Sequence, residues 1–67
     1  MELIEKFERN VKIMMNEKGF TQVSLAKKLG LGKTTVNSWL SAHKEPTLSN
    51  IYKLTKALDC TFEELID

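Results

Sequence analysis

Apolar residues recur every three or four positions along most of the chain, which is the spacing of amphipathic helices. The first stripe predicts a helix from about Leu3 to Lys18 that Gly19 ends. Its inner face comprises Leu3, Ile4, Phe7, Val11, Met14 and Met15. Ile13 lies off this stripe and is expected at the surface. No segment alternates with a period of two, so no strand is predicted.

The segment from Thr21 to Ser41 predicts two short helices joined by a tight turn. Thr21 suits the N-cap, because its hydroxyl can accept a hydrogen bond from a free amide of the first turn. Gly30 follows the apolar stripe at the position where a left-handed backbone favours glycine. The second helix is expected to begin near Lys33. The inner faces of the two helices comprise Leu25, Ala26, Leu29, Val36, Trp39 and Leu40. This pattern predicts a helix-turn-helix.

Two more helices are predicted after a polar loop. Pro46 ends that loop, and Thr47 can cap a fourth helix that is interrupted at Asp59. Its stripe comprises Leu48, Ile51, Tyr52, Leu54, Ala57 and Leu58. Thr61 and Glu64 form a capping box for a last short helix, whose inner residues are Phe62, Leu65 and Ile66. The sequence therefore predicts a single all-α domain of five helices over residues 1–67.

The outer face of the third helix carries polar side chains, namely Lys33, Thr34, Asn37 and Ser38. Such side chains can contact base edges or phosphates in a major groove. The free amides and positive dipole end of the first helical turn also suit a phosphate. A solvated polar face is the alternative interpretation, since most exposed helix faces are polar.

Charge is distributed unevenly along the 67 residues, although the net charge is only +1. The segment from Lys18 to Lys44 contains five lysines and one histidine, and all nine acidic residues lie outside it. This basic segment coincides with the predicted helix-turn-helix, as expected of a surface that binds nucleic acid. Chance clustering in a short chain is the alternative.

Composition argues against several other classes of protein. A single cysteine excludes an intrachain disulfide and fits a reducing compartment. No apolar run approaches the roughly 20 residues of a membrane span, and the charged amino end is unlike a signal peptide. A cytoplasmic protein without membrane association is expected. His43 and Cys60 are the only residues of their kinds and are far apart in sequence, so we expect no enzyme, metal site or cofactor.

The run from Phe20 to Ile66 resembles the Cro/C1-type repressor helix-turn-helix family, the lambda-repressor-like DNA-binding domains of prokaryotes and phages. The resemblance extends back into the first helix and covers nearly the whole chain. The residues that carry it are Thr21-Gln22, Leu25-Ala26, Gly30, Val36, Pro46, Leu48, Leu54, Ala57-Leu58 and the closing Thr61 to Ile66. Together these positions form a pattern that is specific to this family, although no single position is.

The resemblance implies that the helix from about Lys33 to Ser41 reads DNA bases in the major groove. The positions that contact base edges in relatives correspond to Lys33, Thr34 and Ser38 in this chain, with Asn37 nearby. The positions that match backbone-contacting ones are Thr21, Gln22, Gly32, Thr35 and Ser41, with His43 and Lys44 in a loop beside the DNA. Relatives bind palindromic operators as homodimers, so half-sites about 34 Å apart are expected.

The resemblance implies a transcriptional regulator, and repression rather than activation. The alternative is a protein-interaction module or an antitoxin-like partner with the same fold, for which Ile13 and Val23 are the natural contact residues. The two readings differ in whether Lys33 and Thr34 matter for binding.

The sequence departs from the family pattern at several positions. Relatives often carry a buried arginine and glutamate where this chain has Met15 and Leu40. Replacing both members of an ion pair avoids the desolvation of buried charges, so we predict that Met15 and Leu40 touch. Gly32 replaces the usual hydroxyl cap of the recognition helix, and Ala42 and Asp59 replace common glycines.

Overall fold

A computed structural model describes residues 2–41 and 43–67 of the chain. It has five helices, which are α1 (Leu3–Lys18), α2 (Gln22–Leu29), α3 (Lys33–Leu40), α4 (Leu48–Leu58) and α5 (Phe62–Ile66). The described residues include no strand. The predicted five-helix, all-α fold is therefore confirmed, and α3 ends one residue before the predicted boundary.

Hydroxyl caps begin three of the helices as predicted. The Thr21 hydroxyl accepts from the Ser24 amide at 3.1 Å, and the Ser24 hydroxyl accepts from the Thr21 amide at 2.8 Å. Thr47 accepts from the amide three residues later at 3.2 Å. Thr61 and Glu64 form the predicted capping box at the start of α5. These caps satisfy amides that have no partner inside the helix.

Three helices end at a residue whose backbone is in the left-handed conformation. Gly19 and Gly30 adopt φ values of 75° and 72° after α1 and α2. Asp59 follows α4 with a φ of 51°, a conformation that favours glycine. Asp59 is thus a non-glycine residue at a position that needs a left-handed backbone. The other departure from a family glycine, Ala42, lies outside the described residues.

The core lies where α1 packs against α5 and α3, and where α2 packs against α3 and α4. Its buried side chains are Phe7, Val11, Met15, Leu25, Ala26, Leu29, Val36, Trp39, Leu40, Leu54, Leu58 and Leu65. Met15 and Leu40 are both buried in this core, on helices that pack together. Their direct contact stays a prediction.

Four residues predicted to lie on inner faces are exposed instead, namely Leu3, Leu48, Tyr52 and Phe62. Leu3, Leu48 and Phe62 are each the first residue of a helix. Tyr52 lies one helical turn after Leu48, which puts it on the same face of α4. Hydrophobic spacing identified the correct stripe but not where the bundle stops covering it. Ile13 and Val23 are exposed as predicted.

Candidate nucleic-acid interface

Helix α3 is fixed to the bundle by one face and leaves the other accessible. Val36, Trp39 and Leu40 are buried, with Trp39 only 2% exposed. Outside this buried face, Lys33, Thr34 and Asn37 are exposed and Ser38 is half-buried. The four predicted base-reading residues therefore share one surface, which we call the α3 outer face.

The first turn of α2 lies beside the α3 outer face. Asn37 Nδ2 donates a hydrogen bond to Gln22 Oε1 at 3.2 Å. This bond brings Gln22, and the adjacent capping residue Thr21, next to the middle of α3. Two residues predicted to touch the DNA backbone are thereby grouped with a predicted base reader.

The loop after α3 folds back onto the same helix. The amides of His43 and Lys44 donate to the Ser38 carbonyl at 3.0 and 3.3 Å. The Ser41 hydroxyl donates to the Asn37 carbonyl at 2.7 Å and lies 3.3 Å from His43 Nδ1. The predicted loop residues His43 and Lys44 are thus attached to the carboxyl end of α3.

Existing hydrogen bonds limit what some of these side chains can offer. The Ser38 hydroxyl donates to the Thr35 carbonyl at 2.7 Å. Its hydrogen is therefore engaged, and its lone pairs remain available to accept. Ser38 is suited to accept from a base amine rather than to donate to a base acceptor.

The amino end of α3 presents unpaired donors. Gly32 has an extended backbone at the N-cap and supplies no side-chain cap. Its carbonyl accepts from the amides of Thr35 and Val36. Within residues 2–41 and 43–67, the amides of Lys33 and Thr34 have no acceptor. These donors and the Lys33 ammonium suit a phosphate, since anions are stabilised at a helix amino end.

The sequence did not indicate three residues that border the α3 outer face. A groove of about 260 Å³ is lined by Thr34, Thr35, Ser38, Trp39, Lys44, Glu45, Thr47 and Asn50. Glu45 places an acidic side chain there, next to the basic segment. Thr47 and Asn50 were recognisable only as the start of α4, and the loop that brings them to α3 has no signature in the hydrophobic pattern.

The positive charge is divided between two surfaces. A second groove, between α2 and α4, is lined by Lys28, Tyr52, Lys53 and Lys56 with Leu29 and Ala57. The Lys56 ammonium lies 5.3 Å from the centre of the Tyr52 ring. None of the predicted DNA-contacting residues lines this groove, so not every lysine of the basic segment belongs to the α3 outer face.

Other chemistry has little support in the described residues. Burial raises the pKa of the half-buried Cys60 thiol, Glu64 and Asp59 raise it further, and Lys18 opposes them. A raised pKa lowers the thiolate fraction and so makes this cysteine less reactive than a free thiol. The described ranges contain no group of three or more acidic, histidine or cysteine side chains that could hold a metal ion. None of the described helices has both the length and the apolar character needed to cross a membrane.

A helix-turn-helix with an accessible, polar second helix is typical of DNA-binding regulators. The helix-turn-helix family model matches residues 11–65. The chain therefore belongs to the Cro/C1-type helix-turn-helix family, and the resemblance in the sequence is confirmed. No curated protein matches the chain in sequence.

Several solved structures are similar over nearly the whole chain. The restriction-modification controller protein C.AhdI from Aeromonas hydrophila is 32% identical, with a TM-score of 0.85 over 92% of this chain and 94% of that one. A hypothetical transcription factor from Neisseria is 29% identical, with a TM-score of 0.92 over 98% of this chain and 76% of that one. The controller protein C.Esp1396I is 28% identical, with a TM-score of 0.85 over 98% and 90%. Together with the family, these structures identify the chain as a DNA-binding transcription regulator.

Proposed function

We propose that this protein binds double-stranded DNA in a sequence-specific manner by inserting α3 into the major groove. The base-reading residues are Lys33, Thr34, Asn37 and Ser38. The backbone-contacting residues are Thr21, Gln22, Gly32, Thr35, Ser41, His43 and Lys44. Backbone contacts set the register of the helix in the groove, and base contacts select the sequence.

One observation carries this proposal. Helix α3 buries Val36, Trp39 and Leu40 and leaves its opposite face to solvent. The buried face fixes the helix, so the polar side chains opposite it can be held against base edges without rearrangement of the fold. The hydrogen bonds to α2 and to the following loop supply backbone-contacting groups on both sides of α3.

The protein acts as a homodimer on a palindromic operator. An apolar surface supports this state: Leu48, Tyr52 and Phe62 are exposed and line the same shallow depression, which we call the α4–α5 patch. Leu48 is 83% exposed and Tyr52 is 62% exposed. Leu48 directly follows Thr47, which lines the groove beside the α3 outer face. A two-fold axis through the patch would place the patch of one protomer against the same patch of its partner, and a symmetric dimer of this kind matches the symmetry of a palindrome.

The family resemblance favours repression, in which a dimer bound across a promoter blocks access to it. Two of the similar structures are restriction-modification controller proteins, and transcriptional control of that general kind is the role we assign. A reporter gene placed behind the selected operator distinguishes repression, which lowers its expression, from activation, which raises it.

A protein-interaction module with the same fold is the second candidate. The exposure of Ile13 and Val23, at 51% and 52%, favours it. In that case Lys33→Ala and Thr34→Ala leave binding to the partner unchanged, whereas changes at Ile13 and Val23 abolish it.

Selection from random duplex DNA tests the proposal. The wild-type chain should enrich a palindromic motif, and Lys33→Ala or Thr34→Ala should weaken binding to it by about 1–3 kcal/mol each. Lys27→Ala is the matched control, because it removes the same charge from an exposed position in the last turn of α2. A chain that enriches no motif, with affinity that only falls as salt is raised, binds DNA without sequence preference and contradicts the proposal.

A further inference from the structure

The groove between α2 and α4 combines positive charge with apolar surface. We propose that this α2–α4 groove binds an acidic segment of a partner protein, in which carboxylates flank an apolar side chain. The proposal goes beyond DNA binding and does not depend on it, since none of the predicted DNA-contacting residues lines the groove.

Three exposed lysines supply the charge of the groove. Lys28 comes from the last turn of α2, and Lys53 and Lys56 come from α4, where a spacing of three residues puts them on one face. No acidic residue lines the groove. Within residues 2–41 and 43–67, none of the three ammonium groups forms an ion pair with a carboxylate. Their charges are therefore available to an anionic ligand.

The groove also has an apolar part. Leu29 and Ala57 line it together with the ring of Tyr52, which is 62% exposed. The Lys56 ammonium lies 5.3 Å from the centre of this ring, a cation–π distance that keeps the charge beside apolar surface. The groove encloses about 380 Å³, which is enough to receive side chains of a peptide. An apolar side chain of a ligand can therefore be covered here while neighbouring carboxylates pair with the lysines.

These features favour a protein ligand over DNA. Lys28 lies six residues after Gln22 on α2, which puts it about 9 Å farther along the helix from the proposed DNA surface. A DNA backbone pairs with positive charge but has no apolar side chain to place against Tyr52 and Ala57. An acidic protein segment complements the charge of the groove and also uses its apolar part.

The groove adjoins the α4–α5 patch without being part of it. Tyr52 borders both surfaces, whereas the three lysines do not line the patch. Leu48 lines the patch and not the groove. Truncation of Leu48 therefore separates binding in the groove from dimerisation.

Titration of the isotope-labelled protein with a designed peptide tests the proposal. The probe is a short capped peptide in which glutamates flank a leucine–phenylalanine pair. One control peptide has glutamines in place of the glutamates, and another has serines in place of the apolar pair. The probe should shift the amides of residues 28–29 and 52–57, and binding should weaken as salt is raised. Each control peptide should bind at least several-fold more weakly. Shifts confined to α3, or a neutral peptide that binds as tightly as the probe, would overturn the inference.

Variants that remove one charge locate the binding. Lys28→Ala, Lys53→Ala and Lys56→Ala should each weaken binding of the probe about two- to fivefold, as expected for an exposed ion pair. Lys27→Ala is the matched control, because Lys27 is an exposed neighbour of Lys28 that does not line the groove. Lys27→Ala and Leu48→Ala should leave binding unchanged, and thermal unfolding should show that every variant is folded, since all these side chains are exposed. Equal weakening by Lys27→Ala would mean non-specific attraction and would refute the assignment to the groove.

The same variants test DNA and a second copy of the chain as occupants. Lys53→Ala and Lys56→Ala should lower the affinity for the selected duplex no more than Lys27→Ala does. A clearly larger loss with a reduced salt dependence would assign the groove to phosphates and overturn the inference. In sedimentation velocity both variants should dimerise as the wild type does, and a weakened dimer would assign the groove to the second copy. A chain that selects no DNA motif contradicts the proposed function alone, whereas a groove that does not bind the probe contradicts only this inference.

Discussion

Truncation of Leu48 to alanine should separate the proposed homodimer into folded monomers. Leu48 is 83% exposed in the single chain and begins α4. Because so little of this side chain contacts the core, its removal should leave the melting temperature of the monomer almost unchanged. Loss of this side chain should instead weaken the contact between two copies of the chain.

The exposed fraction of Leu48 bounds the size of the effect. Full burial of a leucine side chain is worth about 1.5–3 kcal/mol. Covering most of the exposed area of Leu48 in a dimer therefore contributes about 1–2 kcal/mol per protomer. A two-fold interface contains each residue twice, which gives about 2–4 kcal/mol for the dimer. The dissociation constant should rise about 30- to 1,000-fold.

Sedimentation velocity over a range of protein concentrations measures this change. Val23→Ala is the matched control, since Val23 is also exposed and apolar but lies on α2 and is not part of the α4–α5 patch. A Leu48→Ala chain that dimerises as tightly as the wild type would refute the assignment of the patch. Dissociation caused by Val23→Ala instead would move the interface to α2.

Four further predictions concern the fold and its single thiol. Gly30→Ala should lower the free energy of unfolding by about 1–2 kcal/mol in chemical denaturation, because Gly30 has a φ of 72°. An added Cβ meets no other atom within 4 Å, so this loss comes from the left-handed backbone alone. An unchanged midpoint would contradict this. Asp59→Gly should raise stability by about 0.5 kcal/mol, because it relieves the left-handed backbone at φ 51°, and a lower melting temperature would argue against it. Cys60 should react with iodoacetamide more slowly in the folded than in the unfolded chain, since burial raises its pKa. The folded state holds this proton more tightly, so stability should fall as the pH rises above the ordinary cysteine range, and Cys60→Ala should remove that dependence.

Much of the fold was predictable because local chemistry marks the ends of the helices. The hydroxyls of Thr21 and Thr61 cap the first turns of α2 and α5, as predicted. Gly30, which has no side chain, adopts the left-handed backbone that ends α2. Hydrophobic spacing then identified the inner face of α3, including Trp39. Such signals depend on residues at most four positions apart, which is why they can be read without the structure.

The remaining features depend on how helices meet. Gln22 and Asn37 are 15 residues apart, and only the angle between α2 and α3 brings their amides within 3.2 Å. In the same way, Leu48 and Tyr52 fit the spacing of a buried stripe, but the bundle ends before it covers them. Hydrophobic periodicity predicts neither the Gln22–Asn37 hydrogen bond nor the α4–α5 patch. The bond depends on the angle at which α2 and α3 cross, and the patch depends on how far the bundle covers α4.

Titration of the isotope-labelled protein with its selected duplex, followed by amide chemical shifts, tests the role of α3 most directly. The amides of Lys33, Thr34 and Asn37 should shift or broaden, together with those of the first turn of α2, and a scrambled duplex should have a much smaller effect. Shifts confined to the surroundings of Ile13 and Val23, or an α3 that the selected duplex leaves unchanged, would contradict the assignment of this protein as a major-groove reader.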